Sequence, residues 1–181
     1  DIITKHQDFF RKYNSVVGPI RAPDLCTLNS LQKSGLPSYL SLCLTLTFQL
    51  PRSSKLVAAD KQLRGDEILL VDVTSTAKLP SEILARATKL ECNIVGPQRL
   101  SEKGRHEWAQ NLLSAYADRA KVVITSRIHS ALPASAMGIP VIFVEDTSKN
   151  LPGGGGHRTA GISNLFHLQD AREEWKYGDL T

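Results

Sequence analysis

Arg127 and His129 stand two residues apart in TSRIHS, and in extended or turn backbone that spacing sends both side chains to one side while Ile128 packs inward. A guanidinium holds a phosphate or a carboxylate through paired charge-assisted hydrogen bonds, and an imidazolium is a competent acid near neutral pH. The pair is therefore a candidate anion site with a proton donor beside it. An arbitrary Arg-x-His has a plainer reading as a surface arginine and a structural histidine.

The surroundings favour the chemical reading. Residues 120–144, AKVVITSRIHSALPASAMGIPVIFV, read as a buried strand, a short polar insert, a small-residue helix ending at Gly138 and a second buried strand. Ser126 is a candidate N-cap, and Pro133 allows a later helix start. Either start leaves Arg127 and His129 at or just before a helix N-terminus, where free N–H groups and the positive dipole end favour an anion. Ligands of open α/β sheets collect at the carboxyl ends of the strands, and this insert follows one.

Other chemistry-bearing residues are more scattered. Arg21 follows an apolar run and precedes a helix, so it stands either at a strand end or in an ion pair with Asp24. Asp72 ends a strand and reads equally as a base or as the cap of a turn, with Asp66 at the strand's other end. His106 lies in a helix beside Trp108, and His167 reads as a helix or turn position. His157 and Arg158 follow four glycines, Gly153 to Gly156, which lack the spacing of a P-loop or a GxGxxG turn. No nucleophile–base arrangement and no metal motif is present, so no metal and no cofactor is expected.

Composition narrows the classes further. A chain of 181 residues, 41% hydrophobic and 22% charged, is that of a globular protein with one core or a core plus a subdomain. No apolar run approaches the ~20 residues of a membrane span. The net charge of +4 is mild, and the basic residues are not gathered with aromatics as a nucleic-acid face requires. Cys26, Cys43 and Cys92 include no CxxC pair and read as buried small apolar residues.

Along the chain, residues 1–50 form a segment with an arginine-led helix and a Thr/Leu-rich strand at 39–48, and 51–66 a polar, basic loop or linker. Residues 67–170 alternate strand and helix: strands at 67–73, 91–95, 121–126 and 139–144, helices at 80–89, 101–117 and after Arg127. A tail occupies 171–181. Strands apolar on both faces and separated by helices imply an α/β fold, a Rossmann-like open sheet of about four parallel strands.

Two stretches carry a family likeness: VGPIRAPDLCTLNSLQKSGLPSYLSLCLTLTF (17–48) and RHEWAQNLLSAYADRAKVVITSRIHSALPASAMGIPVIFV (105–144). Through them, and most specifically through Arg-aliphatic-His, the chain resembles the polysaccharide pyruvyl transferase family. The likeness covers about 16–166, with 51–65 and the last fifteen residues poorly matched. The resemblance implies the C-terminal, donor-side half of a GT-B-like enzyme of two Rossmann-like domains, with an N-terminal, acceptor-side domain missing from this chain. It implies phosphoenolpyruvate as donor substrate, a glycan or polysaccharide as acceptor and a pyruvate ketal as product. It makes Arg127 and Ser126 donor-binding and His129 catalytic, with Arg21 and Lys149 as further donor contacts.

Two alternatives use the same residues differently. A GT-B glycosyltransferase domain would hold a sugar-nucleotide diphosphate at the same strand end, and a non-catalytic carbohydrate-binding domain would keep the fold without the reaction. The compartment follows the source, cytoplasm for a bacterium and possible Golgi lumen for a eukaryote.

Overall fold

Apolar side chains alternate across both faces of three central strands, β3 (Glu67–Val71), β5 (Ala120–Thr125) and β6 (Val141–Glu145). Leu69, Val71, Val123, Val141 and Phe143 enter one buried cluster, while Ile68, Leu70, Val122, Ile124, Ile142 and Val144 enter the other. A strand buried on both faces must be covered twice. On the first face lie α4 (Glu102–Arg119), through Tyr116, and α5 (Ile128–Ala136), through Ala131 and Ala134. On the second lie Ile83 of α3 (Ser81–Arg86) and the C-terminal side chains Trp175 and Tyr177.

The computed structural model describes residues 6–50, 65–74, 77–92, 100–145, 162, 165–178 and 180. Contacts divide the chain into two units, one of residues 1–44 with 148–165 and one of 45–147 with 166–181. With β4 (Thr88–Leu90) and β7 (His167–Asp170) at its edges, the larger unit holds a five-stranded sheet in the order β4-β3-β5-β6-β7, every neighbouring pair parallel. The expected Rossmann-like α/β class is therefore found, with five strands rather than four.

Both departures from the expected strand list occur at the sheet edges. β4 is Thr88–Leu90, paired with Leu69–Val71 of β3, so it precedes the expected 91–95 strand and shortens the expected 80–89 helix to α3. Positions 93–95 lie outside the described residues. β7, His167–Asp170, replaces the helix or turn expected around His167. Edge strands face one neighbour and carry less buried surface, so the apolar run that marks a central strand is missing from them.

At the amino ends of β3 and β5 the two strands are tied by a bidentate ion pair. Arg119 donates from Nε to Glu67 Oε1 at 2.8 Å and from Nη2 to Oε2 at 2.6 Å, and Thr88 Oγ1 donates to the same Oε2 at 2.7 Å. These bonds, the Arg119 contacts foremost, hold the Glu67 carboxyl down at about 2. Gly65 passes so close to Arg119 that a Cβ there would overlap its carbonyl.

The smaller unit contains α1 (Gln7–Val17) and a two-stranded parallel sheet of β1 (Ile20–Ala22) and β2 (Ser38–Leu40), joined by α2 (Leu25–Lys33). Ala22, Leu31 and Leu36 form its buried centre. The long strand expected at 39–48 is corrected here: β2 ends at Leu40, Leu42 has φ +57°, and Leu44–Thr47 form a 3-10 turn. The reason is that β1 gives way to Pro23, which has no N–H to continue a ladder, and to Asp24, which starts a helix. Among the described residues no helix is long and apolar enough to cross a membrane.

Candidate functional site

The strand order decides where a ligand should sit. From β3 the chain crosses to β4 on one side and then returns to β5 on the other, so the carboxyl ends of β3 and β5 flank the point at which the direction of winding reverses. Doubly wound sheets leave a crevice there, because the connections leave to opposite faces. Asp72 follows β3 directly, and Ser126, Arg127 and His129 follow β5.

Local sequence sets the two loops. Arg127, not Ser126, occupies the N-cap position of α5, and no side chain caps this helix. The first turn closes instead through N–H groups of Ser130 and Ala131 donating to Arg127 O, both at 3.0 Å. Pro133 lies inside α5 rather than at its start. Ser126 is used differently from the cap expected of it: its Oγ accepts the N–H of Thr74 at 3.0 Å, tying the β5 loop to the β3 loop. Thr125 is buried, and its Oγ1 accepts the Arg127 N–H at 3.0 Å.

Arg127 and His129 are both exposed, while Ile128 between them packs on the core. The N-cap residue and a first-turn residue of α5 thus reach solvent at the helix N-terminus, where unpartnered N–H groups and the dipole favour an anion. Arg127 Nε stands 3.8 Å from Asp72 Oδ2, an ion-pair distance too long for a hydrogen bond, with the arginine side chain 53% exposed and the aspartate 14%. Ser130 is buried, and Tyr116 of α4 is fully covered, its phenol pushed up to about 12 by that burial with the Ser130 hydroxyl beside it.

Beside Asp72 a cleft of about 450 Å³ opens toward the sheet edge, lined by Val73, Thr74, Leu79, Lys89 and Glu91 among others. Its mixed walls could take a polar molecule with an apolar face. Among the described residues no group of three His, Cys, Asp or Glu side chains is arranged to hold a metal ion.

The other expected site residues lie elsewhere. Arg21 is exposed in β1 of the smaller unit, paired in register with Tyr39. Its alternative partner is taken, since Asp24 caps α2 by accepting Thr27 N and Thr27 Oγ1, each at 2.8 Å. Lys149, His157, Arg158 and the four glycines lie outside the described residues. His106 is exposed on α4, and His167 packs edge-on against Tyr177 at 5.9 Å. Asp72 is the residue that sequence spacing left ambiguous and the strand order brings to Arg127. Its one signal in the sequence is a carboxylate directly after a buried strand.

A family model described as polysaccharide pyruvyl transferase matches residues 27–148, a range that contains Ser126, Arg127 and His129 and stops short of Arg21 and Lys149. No curated protein and no solved structure gives a significant match.

Proposed function

Because the chain belongs to the polysaccharide pyruvyl transferase family, we propose that it carries the donor half of a site that moves the enolpyruvyl group of phosphoenolpyruvate onto a pair of sugar hydroxyls. The observation that carries this reading is the exposed Arg127 and His129 at the N-terminus of α5, beside the reversal point of the parallel sheet. Phosphoenolpyruvate brings a phosphate and a carboxylate, and the guanidinium of Arg127 suits either through a forked pair of charge-assisted hydrogen bonds.

His129 is assigned the proton step. Its imidazolium gives a proton to the methylene carbon of the donor, which leaves the adjacent carbon electrophilic. A sugar hydroxyl attacks that carbon, phosphate departs with the electron pair of its C–O bond, and the second hydroxyl closes the ketal. The two hydroxyl protons restore the imidazolium and leave with the phosphate. Ser126 and Thr74 brace the loop that presents the pair, and Arg21 and Lys149 are proposed as further donor contacts.

The GT-B-like arrangement remains part of the proposal, with an acceptor-side domain that meets the smaller unit. Its Tyr39 and Leu40 are large apolar residues that stand 48% and 38% exposed, an apolar surface that a further domain would cover. The test is release of inorganic phosphate from phosphoenolpyruvate by the full-length protein, coupled to acid-labile pyruvate appearing on a glycan acceptor. Thermal stabilisation by UDP or GDP and none by phosphoenolpyruvate would move the assignment to a sugar-nucleotide transferase.

A further inference from the structure

Asp72 is an awkward residue to keep without a use. It takes a left-handed backbone, φ +43°, which is sparsely populated by non-glycine residues although Asp and Asn tolerate it better than most. Its N–H donates to Leu90 O at 3.3 Å, so the edge strand holds that backbone in place. Oδ2 is buried and has no hydrogen-bond partner. A buried carboxylate oxygen in that state is costly unless a charge offsets it.

Among the described residues the charge paired with it is Arg127, whose Nε stands 3.8 Å away. The turn-cap reading does not account for Asp72, since among the described residues no backbone N–H is donated to its carboxylate. A guanidinium approached on its Nε side keeps both terminal Nη groups for a second partner. Those groups make no hydrogen bond among the described residues, and more than half of the side chain is exposed.

We infer that Asp72 is the positioning residue of the anion site: its carboxylate fixes Arg127 by the Nε edge so that the Nη fork meets the donor's anionic group end-on. The inference rests on the donor-site reading above. It extends that reading to a residue on a different strand, and it explains why a carboxylate stands in a site for an anion. By its charge alone Asp72 repels the donor, and its hold on Arg127 offsets that repulsion.

The test uses the full-length protein and two readouts. In protein labelled with ¹⁵N-arginine, the Nε–Hε resonance that disappears in Arg127→Lys should stand apart from those of exposed arginines because of the nearby carboxylate, and in Asp72→Asn it should move to the position of exposed arginines. Asn accepts the left-handed backbone, so that variant should keep its fold. Asp72→Asn should weaken phosphoenolpyruvate binding about tenfold in calorimetry and weaken inorganic phosphate less than about threefold, because the smaller ion needs less orientation. In an Arg127→Lys background the same change should cost less than about twofold.

An unmoved Arg127 resonance in Asp72→Asn overturns the inference. So does unchanged or tighter phosphoenolpyruvate binding, which is what removal of a repelling charge alone predicts. Equal losses for both anions with a fall in melting temperature would make Asp72 a folding residue and also overturn it. If the parent protein binds no phosphoenolpyruvate, the donor assignment fails while the resonance still decides whether Asp72 holds Arg127.

Discussion

Strands β3 and β5 carry an arginine–carboxylate pair at each end, and the two pairs are built in opposite ways. At the amino end Arg119 and Glu67 meet bidentately at 2.8 and 2.6 Å, and Thr88 fills a remaining acceptor site of the carboxylate. At the carboxyl end Arg127 and Asp72 stand 3.8 Å apart, with a carboxylate oxygen buried and unfilled. The first pair is complete within the fold. The second leaves an arginine with bonds still to make, at the end of the sheet where helix N-termini point and windings diverge. Similar residue types on neighbouring strands thus serve structure at one end and recognition at the other, and saturation separates them.

The largest expected difference concerns the reaction. His129→Gln in the full-length enzyme should lower turnover by about 10² to 10⁴ while leaving phosphoenolpyruvate affinity within a few fold, since proton delivery is lost and the guanidinium is retained. Turnover of the parent should fall with rising pH, because only the imidazolium carries the proton. Near-normal turnover in His129→Gln at saturating donor would leave His129 without the acid role. Loss of affinity instead of turnover would make it an anion contact.

Next in size is the contrast between the two arginines under one substitution. Arg127→Lys keeps the charge but loses the planar fork, and should weaken donor binding by roughly 1 to 3 kcal/mol. Arg119→Lys should leave donor binding within about twofold and alter stability only. Calorimetry on both variants checks this, and equal donor losses would erase the distinction between the two ends. Arg21→Lys should weaken the donor less than Arg127→Lys, because Arg21 lies outside the α5 N-terminus.

The smallest effects are on stability. Glu67 is held at about 2 in the folded chain against an ordinary value of 4.5. A carboxyl depressed by folding adds stability that is fully present above the unfolded value and is lost as pH falls from about 4.5 toward 2. The pair is partly exposed, with Arg119 at 41% and Glu67 at 32%, so water screens it. Glu67→Gln should therefore cost only about 0.5 to 1 kcal/mol near neutral pH. Urea unfolding of parent and variant at pH 7 and at pH 3 should show the gap narrowing at the lower pH, and a constant gap would mean that packing rather than charge carries it. Ser126→Ala should cost about 1 kcal/mol through the lost Thr74 N–H acceptor, and should disturb donor binding where Glu67→Gln does not.

Local residue order determined a good deal of this. Runs such as LLV, VVIT and VIFV have too many apolar residues in succession for a half-exposed strand, so a parallel sheet covered on both faces follows from hydrophobic burial alone. The placing of Arg127 and His129 beyond one of those runs, with Ile128 turned inward, is likewise local, because two flanking residues share a side and the one between them does not. Edge strands β4 and β7 were not legible, since a strand with one neighbour need not be apolar and its register comes from the strand it joins. Nor were the roles of Ser126 and Asp72. Ser126 caps nothing in its own helix and instead accepts an N–H 52 positions away, and Asp72 meets Arg127 only because β3 and β5 are neighbours while β4 lies outside them. Burial patterns are written in consecutive residues and can be read there. Strand order is set by how the connections wind across the sheet, so the meeting of Asp72 with Arg127 exists only once the chain has folded.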